Sequence, residues 1–334
     1  MPNIRVMHFG LGPIGAAVVK QVATRPGFKI VGAIDIDPAK VGRDLGDIVG
    51  LSKRIGVKVS ADAGRALKSA KPDVVVLCTT SSIKKVLPQI DTILKSKIAI
   101  VSTTEELSYP GYTHIRQARQ VHALAKKARV AVLGTGVNPG FAMDALPIAL
   151  TAVCERVDRV VVNRIQDARI RRLPFQQKIG AGLTTEQFQK KVDDGSVRHV
   201  GLTESIAMIA DALGWTLDRI TDDIQPKLAS VTISSEFLAV DPGYVCGIVQ
   251  DGVGFRKSEP VIKLHMEAYL GSPETYDSVD IEGSPNLSMR IAGGIHGDVA
   301  TASIVVNSIP KVLQAAPGLH TMRDLPLPSF FAGR

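Results

Sequence analysis

A glycine-rich turn near the N-terminus constrains the fold of this chain more than any other feature. Gly10, Gly12 and Gly15 form the pattern G-x-G-x-x-G between the apolar run from Ile4 to Phe9 and a helix-forming stretch that follows it. In this context the first glycine permits a tight turn, the second lets the backbone approach a pyrophosphate, and the third lets the helix pack on the strand. The N-terminus of such a helix faces the bound anion. The pattern therefore predicts a dinucleotide-binding unit of the Rossmann type.

The first 137 residues alternate short apolar runs with helix-like stretches that are rich in lysine. This alternation is typical of a doubly wound α/β unit with a parallel sheet. We therefore expect residues 1–137 to form the Rossmann domain. The runs expected as its strands are Ile4–Phe9, Phe28–Ile34, Val74–Leu77, Ile98–Val101 and Val130–Leu133.

The pattern changes in the second half of the chain. Longer β-rich runs separated by Gly, Pro and Asp predict an α+β domain built on an antiparallel sheet, residues 138–298. Helices are expected within it at Thr185–Val192 and Glu204–Leu213. A further helix-like run lies in residues 299–334, a segment that we expect to return to the first domain. The β-rich runs are Val157–Ile165, Ala229–Val240, Tyr244–Val249 and Val261–Leu270.

Composition argues against several classes of protein. The 334 residues are 45% hydrophobic and 22% charged, as in globular proteins, and no apolar run approaches the roughly 18 residues that span a bilayer. The N-terminus lacks the pattern of a secretory signal, which favours a cytoplasmic location. The net charge is +8, but the basic residues are dispersed and aromatics are 4%, so we expect no nucleic-acid partner. The three cysteines form no C-x-x-C or Cys/His cluster, so no metal site is predicted.

Asp35 ends the second apolar run, 20 residues after Gly15. An acid at this place accepts hydrogen bonds from the hydroxyls of the adenosine ribose, which favours NAD. Lys40 and Arg43 are close enough in sequence to offset the charge of Asp35 if the loop folds back. We therefore expect NAD(H), NADP(H) or both as the cofactor.

Ligands of doubly wound sheets bind outside the carboxyl ends of the strands, so the residues that follow each expected strand are candidates. Small hydroxyl residues and glycines there let the backbone approach the nicotinamide ribose. Ordinary turn chemistry is the simpler alternative for each of them. The candidate cofactor-binding residues are Gly10, Gly12, Pro13, Ile14, Asp35, Thr79, Thr80, Ser102, Thr103 and Gly136.

Glu105 is the candidate catalytic acid, because it lies just past a strand end on the side where a nicotinamide is expected. A carboxylate there can exchange protons with an amine or with water. Glu106 is its rival, and a solvated loop carboxylate is the structural alternative for both. His199 and His265 are weaker acid/base candidates, since neither belongs to a metal-ligand pattern and a structural histidine explains each equally simply.

Six segments along almost the whole chain carry a resemblance to a known family. They are G-L-G-P-I-G from Gly10, G-A-I-D-I-D-P-A-K-V-G from Gly32, S-T-T-E-E-L-S-Y-P from Ser102, G-T-G-V-N-P-G-F from Gly134, H-V-G-L-T-E-S-I-A-M-I-A-D-A-L-G-W from His199, and G-D-V-A-T-A from Gly297. In combination they resemble the 2,4-diaminopentanoate dehydrogenases and their relatives, the native amine dehydrogenases.

The resemblance implies hydride transfer between a nicotinamide and an amine-bearing carbon. Run reductively, this converts a small ketone or aldehyde and ammonia to a primary amine. By the same resemblance, Glu105 holds ammonia and relays protons. The substrate-pocket candidates that it implies are Asn138, Phe141, Met143, Asn163, His199, His265 and Thr301.

Several alternatives stay open. The segment R-R-L-P-F-Q-Q-K-I-G-A-G from Arg171 resembles the amine dehydrogenase branch and favours simple amines, with a 2,4-diaminopentanoate dehydrogenase as the alternative. The expected fold also resembles dihydrodipicolinate reductase, but the paired histidines followed by lysine of that enzyme are missing. A nicotinamide sensor without turnover is the remaining alternative. We expect a homodimer, because a β-rich domain offers edges and faces that proteins commonly cover by pairing.

Overall fold

The computed structural model describes residues 3–333 and divides the chain into two compact units. The first unit contains the residues up to Phe141 together with those from Gly297 onward, and the second contains Ala142–His296. The domain bounds that the sequence pattern predicts, after residues 137 and 298, stay predictions. The chain thus leaves the first unit once and later returns to it.

The first unit begins with alternating strands and helices, and a 3₁₀ turn at Glu105–Leu107 follows its fifth strand. The elements are β1 (Ile4–Phe9), α1 (Pro13–Thr24), β2 (Phe28–Ile34), α2 (Leu45–Val49), β3 (Val59–Ser60), α3 (Ala63–Ala70), β4 (Val74–Leu77), α4 (Ile83–Lys95), β5 (Ala99–Ser102), α5 (Ile115–Ala128) and β6 (Ala131–Gly134).

The second unit combines short helices with longer strands, and after it the chain returns to the first unit through one helix and one strand. The elements of the second unit are α6 (Ala145–Leu150), β7 (Arg156–Asp167), α7 (Leu173–Lys178), α8 (Thr185–Asp193), α9 (Leu202–Ala212), β8 (Arg219–Leu228), β9 (Ile233–Ser234), β10 (Ala239–Val240), β11 (Val245–Arg256), β12 (Glu259–Tyr269), β13 (Tyr276–Ser284) and β14 (Leu287–Ala292). The returning elements are α10 (Gly297–Gln314) and β15 (Gly318–His320).

The predicted parallel, doubly wound sheet is confirmed in the first unit. Seven strands pair in the order β15-β6-β5-β4-β1-β2-β3, and every neighbouring pair is parallel. Strands β4, β5 and β6 are buried along their full length, as expected for strands that helices cover on both faces. Helix α10 packs against α1 and against β4, β5 and β6. Each fully buried Val, Leu or Ile side chain of this core contributes roughly 1.5–3 kcal/mol to folding.

The sheet of the second unit is mixed, whereas the sequence predicts an antiparallel one. Its order is β14-β13-β7-β12-β11-β8, and β7 pairs with β12 in parallel while the other neighbours are antiparallel. Helix α9 lies on one face of this sheet. A Cβ atom at Gly252 would meet the side chains of Leu202 and Ile206, and one at Gly254 would meet that of Ile206, so glycine lets the helix approach β11 closely.

Candidate active site

The glycine-rich turn has the geometry that a dinucleotide needs. Gly10 has a φ of 91°, which suits glycine, and a Cβ at Gly15 would collide with the carbonyl oxygen of Gly10. A Cβ at Gly12 would meet nothing within 4 Å, so this backbone is open to a ligand. Helix α1 starts at Pro13 with no side chain capping it, which leaves the N–H groups of its first turn available for a pyrophosphate. The turn therefore fits a dinucleotide, with Ile14 in the same first turn.

The carboxylate of Asp35 is held by the backbone and by one lysine. It is 9% exposed, and it accepts the N–H of Leu11 at 2.7 Å and the N–H of Asp37 at 2.9 Å. The ammonium of Lys40 lies 3.3 Å from Asp35 and 3.2 Å from Asp37. Burial alone would lower the pKa of Lys40, but its contacts with the two carboxylates outweigh burial and raise that pKa. The loop after β2 therefore folds back and places Lys40 against Asp35, which is the condition for Lys40 to offset the charge of that acid.

The loops after β4, β5 and β6 lie side by side, because these strands are neighbours in the sheet. The backbone N–H of Thr135 donates to the carbonyl of Ser102 at 2.8 Å, and that of Thr103 donates to the carbonyl of Leu77 at 3.0 Å. Ser102 is fully buried, and its hydroxyl bonds to the carbonyl of Leu77 and to Thr104. The Ser102 side chain thus fixes the ends of β4 and β5.

Three other cofactor candidates share this edge of the sheet with the glycine-rich turn. A Cβ at Gly10 would collide with the carbonyl of Cys78, which shows how closely the first and fourth strand ends approach. Thr79 is exposed and donates its hydroxyl to Gln89 at 2.6 Å. Thr80 is half-buried and Gly136 is buried. The roles of these residues stay predictions.

The structure distinguishes the two neighbouring glutamates. The carboxylate of Glu106 accepts the N–H of Ile83, at the start of α4, at 2.9 Å and lies 3.2 Å from the imidazole of His114. It therefore serves as the N-terminal cap of a helix whose own capping residue, Ser82, makes no side-chain cap. Glu105 opens the 3₁₀ turn past β5 and is half-buried. The carboxylate of Glu106 thus has a structural role at the start of α4.

Three pocket candidates belong to the first unit and lie around the loop after β6. Asn138 is joined to Pro139 by a cis peptide bond, and Phe141 ends the unit. The hydroxyl of Thr301, on α10, accepts the N–H of Val137 at 3.4 Å. Asn138 and Phe141 thus lie in the loop that follows β6, and Thr301 contacts that loop, at the carboxyl end of the parallel sheet where ligands of such sheets bind.

His199 lies in the second unit, on the face of the sheet that carries α9. Its backbone N–H donates to the side chain of Gln250 at 2.9 Å, and the Gln250 amide donates back to the carbonyl of His199. Its Nε2 atom is buried and has no hydrogen-bond partner in the part of the chain that the structure describes. Burial and the nearby cations Lys178 and Arg164 hold the pKa of His199 well below its ordinary value. The imidazole is therefore neutral near pH 7.

Asn163 and His265 lie on the opposite face of the same sheet. They are register partners on β7 and β12, and His265 contacts Asp251 at 2.9 Å and Glu267 at 3.1 Å. Because side chains alternate along a strand, Asp251 and Gln250 point to opposite faces of β11. His199 on one face and Asn163 and His265 on the other are thus not brought into one cluster within the second unit. Met143 is fully buried in the second unit.

Sequence reasoning missed Gln250, although it is fully buried and holds the backbone on both sides of His199. It also missed Arg164 and Asp277, a buried ion pair on the same face. The sequence feature that could have identified these residues is a polar side chain at an inward-facing position of a strand whose other inward-facing residues are apolar. Among residues 3–333 no three His, Cys, Asp or Glu side chains are arranged to hold a metal, and no helix there has the length and hydropathy to cross a bilayer.

Two family models together match nearly the whole chain. The model of the 2,4-diaminopentanoate dehydrogenase C-terminal domain matches residues 141–334. The model of the dihydrodipicolinate reductase N-terminus matches residues 4–133, which contain the glycine-rich turn, Asp35 and Glu105. The two matches meet close to the boundary between the two units.

Individual relatives agree with the family models. A 2,4-diaminopentanoate dehydrogenase from Acetoanaerobium sticklandii is 34% identical over 100% of this chain and 96% of its own length. An amine dehydrogenase from Streptomyces virginiae is 25% identical over 97% of this chain and 96% of its own length. The solved amine dehydrogenase of Mycobacterium smegmatis superposes with a TM-score of 0.89 at 27% identity, covering 99% of this chain and 98% of that one.

Proposed function

Because the chain belongs to the 2,4-diaminopentanoate dehydrogenase family, we propose that it is an NAD(P)-dependent amine dehydrogenase that acts on small carbonyl compounds. In the reductive direction a ketone or aldehyde, ammonia, NAD(P)H and a proton give a primary amine, NAD(P)⁺ and water. The observation that carries the proposal is the 34% match over the full length of the chain, which includes both units. The open backbone at Gly12 supports the cofactor part of the proposal.

The bound nicotinamide supplies or accepts the hydride, and the residues of this chain position it. The N–H groups at the start of α1 bind the pyrophosphate, and Asp35 accepts hydrogen bonds from the adenosine ribose. The strand-end residues Thr79, Thr103 and Gly136 line the nicotinamide ribose. These residues orient the cofactor and leave proton transfer to another group.

Glu105 is the proposed proton-transfer group. In the reductive direction it holds ammonia, supplies a proton while water leaves the carbon atom, and the resulting imine is reduced to the amine. In the oxidative direction it accepts the proton that must leave the ammonium before hydride can depart. Its position past the end of β5, half-buried, supports this role, and the engagement of Glu106 as a helix cap makes Glu106 the weaker candidate.

His199 is the proposed polar contact for the substrate in the second unit. A neutral imidazole offers one hydrogen bond through Nε2, as donor or acceptor according to its tautomer. The burial of that atom without a partner among residues 3–333 supports the role, because an unpaired buried nitrogen costs free energy unless a ligand satisfies it. Asn163 and His265 already bond to Ser278, Asp251 and Glu267 and are weaker candidates.

The second candidate function is 2,4-diaminopentanoate dehydrogenase, which the 34% identical relative favours. The R-R-L-P-F segment from Arg171 favours simple amines instead. Oxidation of NADH and NADPH at high ammonia, with a panel of small ketones and aldehydes and with 2-amino-4-oxopentanoate, separates the two. Ammonia-free reactions are the control. Turnover confined to 2-amino-4-oxopentanoate would replace the first proposal with the second.

The role of Glu105 is tested in the same assay. We expect Glu105→Gln to lose at least about a hundredfold in kcat while it binds NADH normally, because general acid/base groups contribute typically 10²–10⁴-fold. Normal turnover with cofactor bound would refute the role. A homodimer and a cytoplasmic location stay parts of the proposal, and light scattering of the purified protein and imaging of the tagged protein test them.

A further inference from the structure

A side chain of β11 fixes the backbone of His199. This histidine lies in the segment that joins α8 to α9, outside any helix or strand, and Gly201 just after it has a φ of 106°. The N–H of His199 donates to Oε1 of Gln250 at 2.9 Å, and its carbonyl accepts Nε2 of Gln250 at 3.2 Å. The Gln250 amide thus pairs with both peptide groups of His199, and the place of the imidazole depends on β11.

The Gln250 side chain is fully buried and uses both donors of its amide. It lies on the same face of β11 as Gly252, which is the face that α9 covers. One Nε2 hydrogen goes to the carbonyl of His199 and the other to the carboxylate of Asp222, at 2.8 Å. A polar group buried this completely lowers stability unless it is hydrogen-bonded. Glutamine at this position is therefore explained by its partners rather than by packing.

Asp222 selects one of the two orientations of the Gln250 amide. It lies on the edge strand β8 opposite Gly252, and its side chain therefore shares a face with Gln250. A carboxylate only accepts hydrogen bonds, so it holds the NH₂ end of the amide and leaves Oε1 towards the N–H of His199. The flipped amide would set oxygen against carboxylate and donor against donor. The three residues thus form one connected network.

The imidazole of His199 combines a fixed backbone with one free atom. Its Nε2 is buried and has no hydrogen-bond partner among residues 3–333. A hydrogen bond to a ligand needs such an atom within roughly 0.5 Å of the right place, and a shift of the His199 backbone would move it by a similar distance.

We propose that Gln250 is a positioning residue for the carbonyl or amine substrate: it holds His199 so that Nε2 meets a polar atom of the substrate. Asp222 supports it by fixing the orientation of the amide. No proton or hydride passes through either residue. This inference rests on the proposed function, because it assumes that His199 contacts the substrate.

Steady-state kinetics of reductive amination, with the carbonyl compound that the wild type converts fastest, test the inference. Gln250→Met keeps the length of the side chain and removes its hydrogen bonds. We expect it to raise KM for the carbonyl compound about five- to tenfold, the contribution of one hydrogen bond, and to leave kcat within about twofold, because ground state and transition state share the contact. The Kd for NADH should not change.

A double-mutant cycle separates positioning from a general loss of structure. His199→Leu should raise KM by a similar factor, and Gln250→Met should then add less than about twofold, because residues that act as a unit are not additive. Gln225→Met is the matched control and should leave both constants unchanged. Gln225 also donates to an aspartate of β8, Asp223 at 3.0 Å, but it is exposed and lies on the opposite face of the sheet.

Reversal of the hydrogen-bond polarity covers the case in which Gln250→Met does not fold. Gln250→Glu sets two carboxylates against each other and should raise KM at least about tenfold. The added Asp222→Asn gives the new carboxylate a donor, while its other oxygen still accepts the N–H of His199. KM should then return to within about threefold of the wild type.

The outcomes separate the inference from the function on which it rests. If the wild type shows no ammonia-dependent turnover, the proposed function fails. If the wild type is active but Gln250→Met leaves KM unchanged, or raises it by the same factor with and without His199, the inference is overturned. It is overturned as well if Asp222→Asn does not restore the KM of Gln250→Glu.

Discussion

His8 gives the protein a dependence of stability on pH that a single substitution should reduce. It lies on β1 with 1% of its surface exposed, and neither ring nitrogen has a hydrogen-bond partner within residues 3–333. Burial lowers its pKa from 6.5 to about 3. The folded state therefore holds His8 neutral, while the unfolded chain binds a proton below about pH 6.5. Stability is lost as the pH falls from there towards 3.

The size of the effect follows from those two pKa values. At pH 5 the unfolded chain gains about 2 kcal/mol from protonation of His8, and below pH 3 the loss of stability approaches about 5 kcal/mol. His8→Leu should abolish this part of the pH dependence. It should also raise the free energy of unfolding near pH 8, by roughly 1–3 kcal/mol, because it removes two unsatisfied buried nitrogens.

Urea unfolding of the wild type and of His8→Leu, monitored by circular dichroism near pH 8 and near pH 5, measures the difference. The buried His199 adds its own acid sensitivity to both proteins, so the comparison between them isolates His8. Replacement of the exposed His296 by Leu is the control. If the wild type and His8→Leu lose the same free energy between the two pH values, within about 0.5 kcal/mol, the argument from buried neutral imidazole is wrong.

Three further substitutions test other parts of the structure. Gly12→Ala should fold normally, because its Cβ meets open space, yet raise the Kd for NADH at least tenfold; unchanged binding would mean that the pyrophosphate lies elsewhere. Arg164→Met should destabilise the protein by about 3–5 kcal/mol in thermal or urea unfolding, because it leaves Asp277 buried and unpaired, whereas Arg156→Met at an exposed pair should cost less than about 1 kcal/mol. Glu106→Ala should cost about 1 kcal/mol through the lost cap of α4 but keep kcat; a large fall in kcat would make Glu106 the proton-transfer group.

The parallel sheet could be predicted from sequence because its strands are buried on both faces and read as continuous apolar runs. The second sheet was harder to predict because not all of its strands are buried and read as continuous apolar runs. Its edge strands β8 and β14 are half-exposed and carry residues such as Asp222, Pro226 and Arg290, which are rare in central strands, so the sequence does not mark them. The parallel pairing of β7 with β12 joins segments far apart in the chain, and no local pattern encodes it.

The candidate site, too, could be predicted only in part from the sequence. The spacing of the glycines and Asp35 identifies the dinucleotide turn, because the role of each of these residues follows from the local sequence of strand, turn and helix. A choice between Glu105 and Glu106 requires knowledge of how the 3₁₀ turn after β5 is oriented. A distinction between His199 and His265 requires knowledge of the sheet face on which each side chain lies. Strand alternation assigns a face only after the strand's register and its covering helix are known. A histidine on either face looks the same in sequence.

The return of α10 and β15 to the first unit has a consequence for how the protein is made. During synthesis the first 141 residues emerge from the ribosome without the helix that covers α1, β4, β5 and β6 and without the strand that closes the β6 edge. The nucleotide-binding unit is therefore completed last, after the whole of the second unit has been made. A nascent or truncated chain that stops at Phe141 should expose an apolar sheet face to chaperones and proteases, and only a chain that contains α10 and β15 can close it.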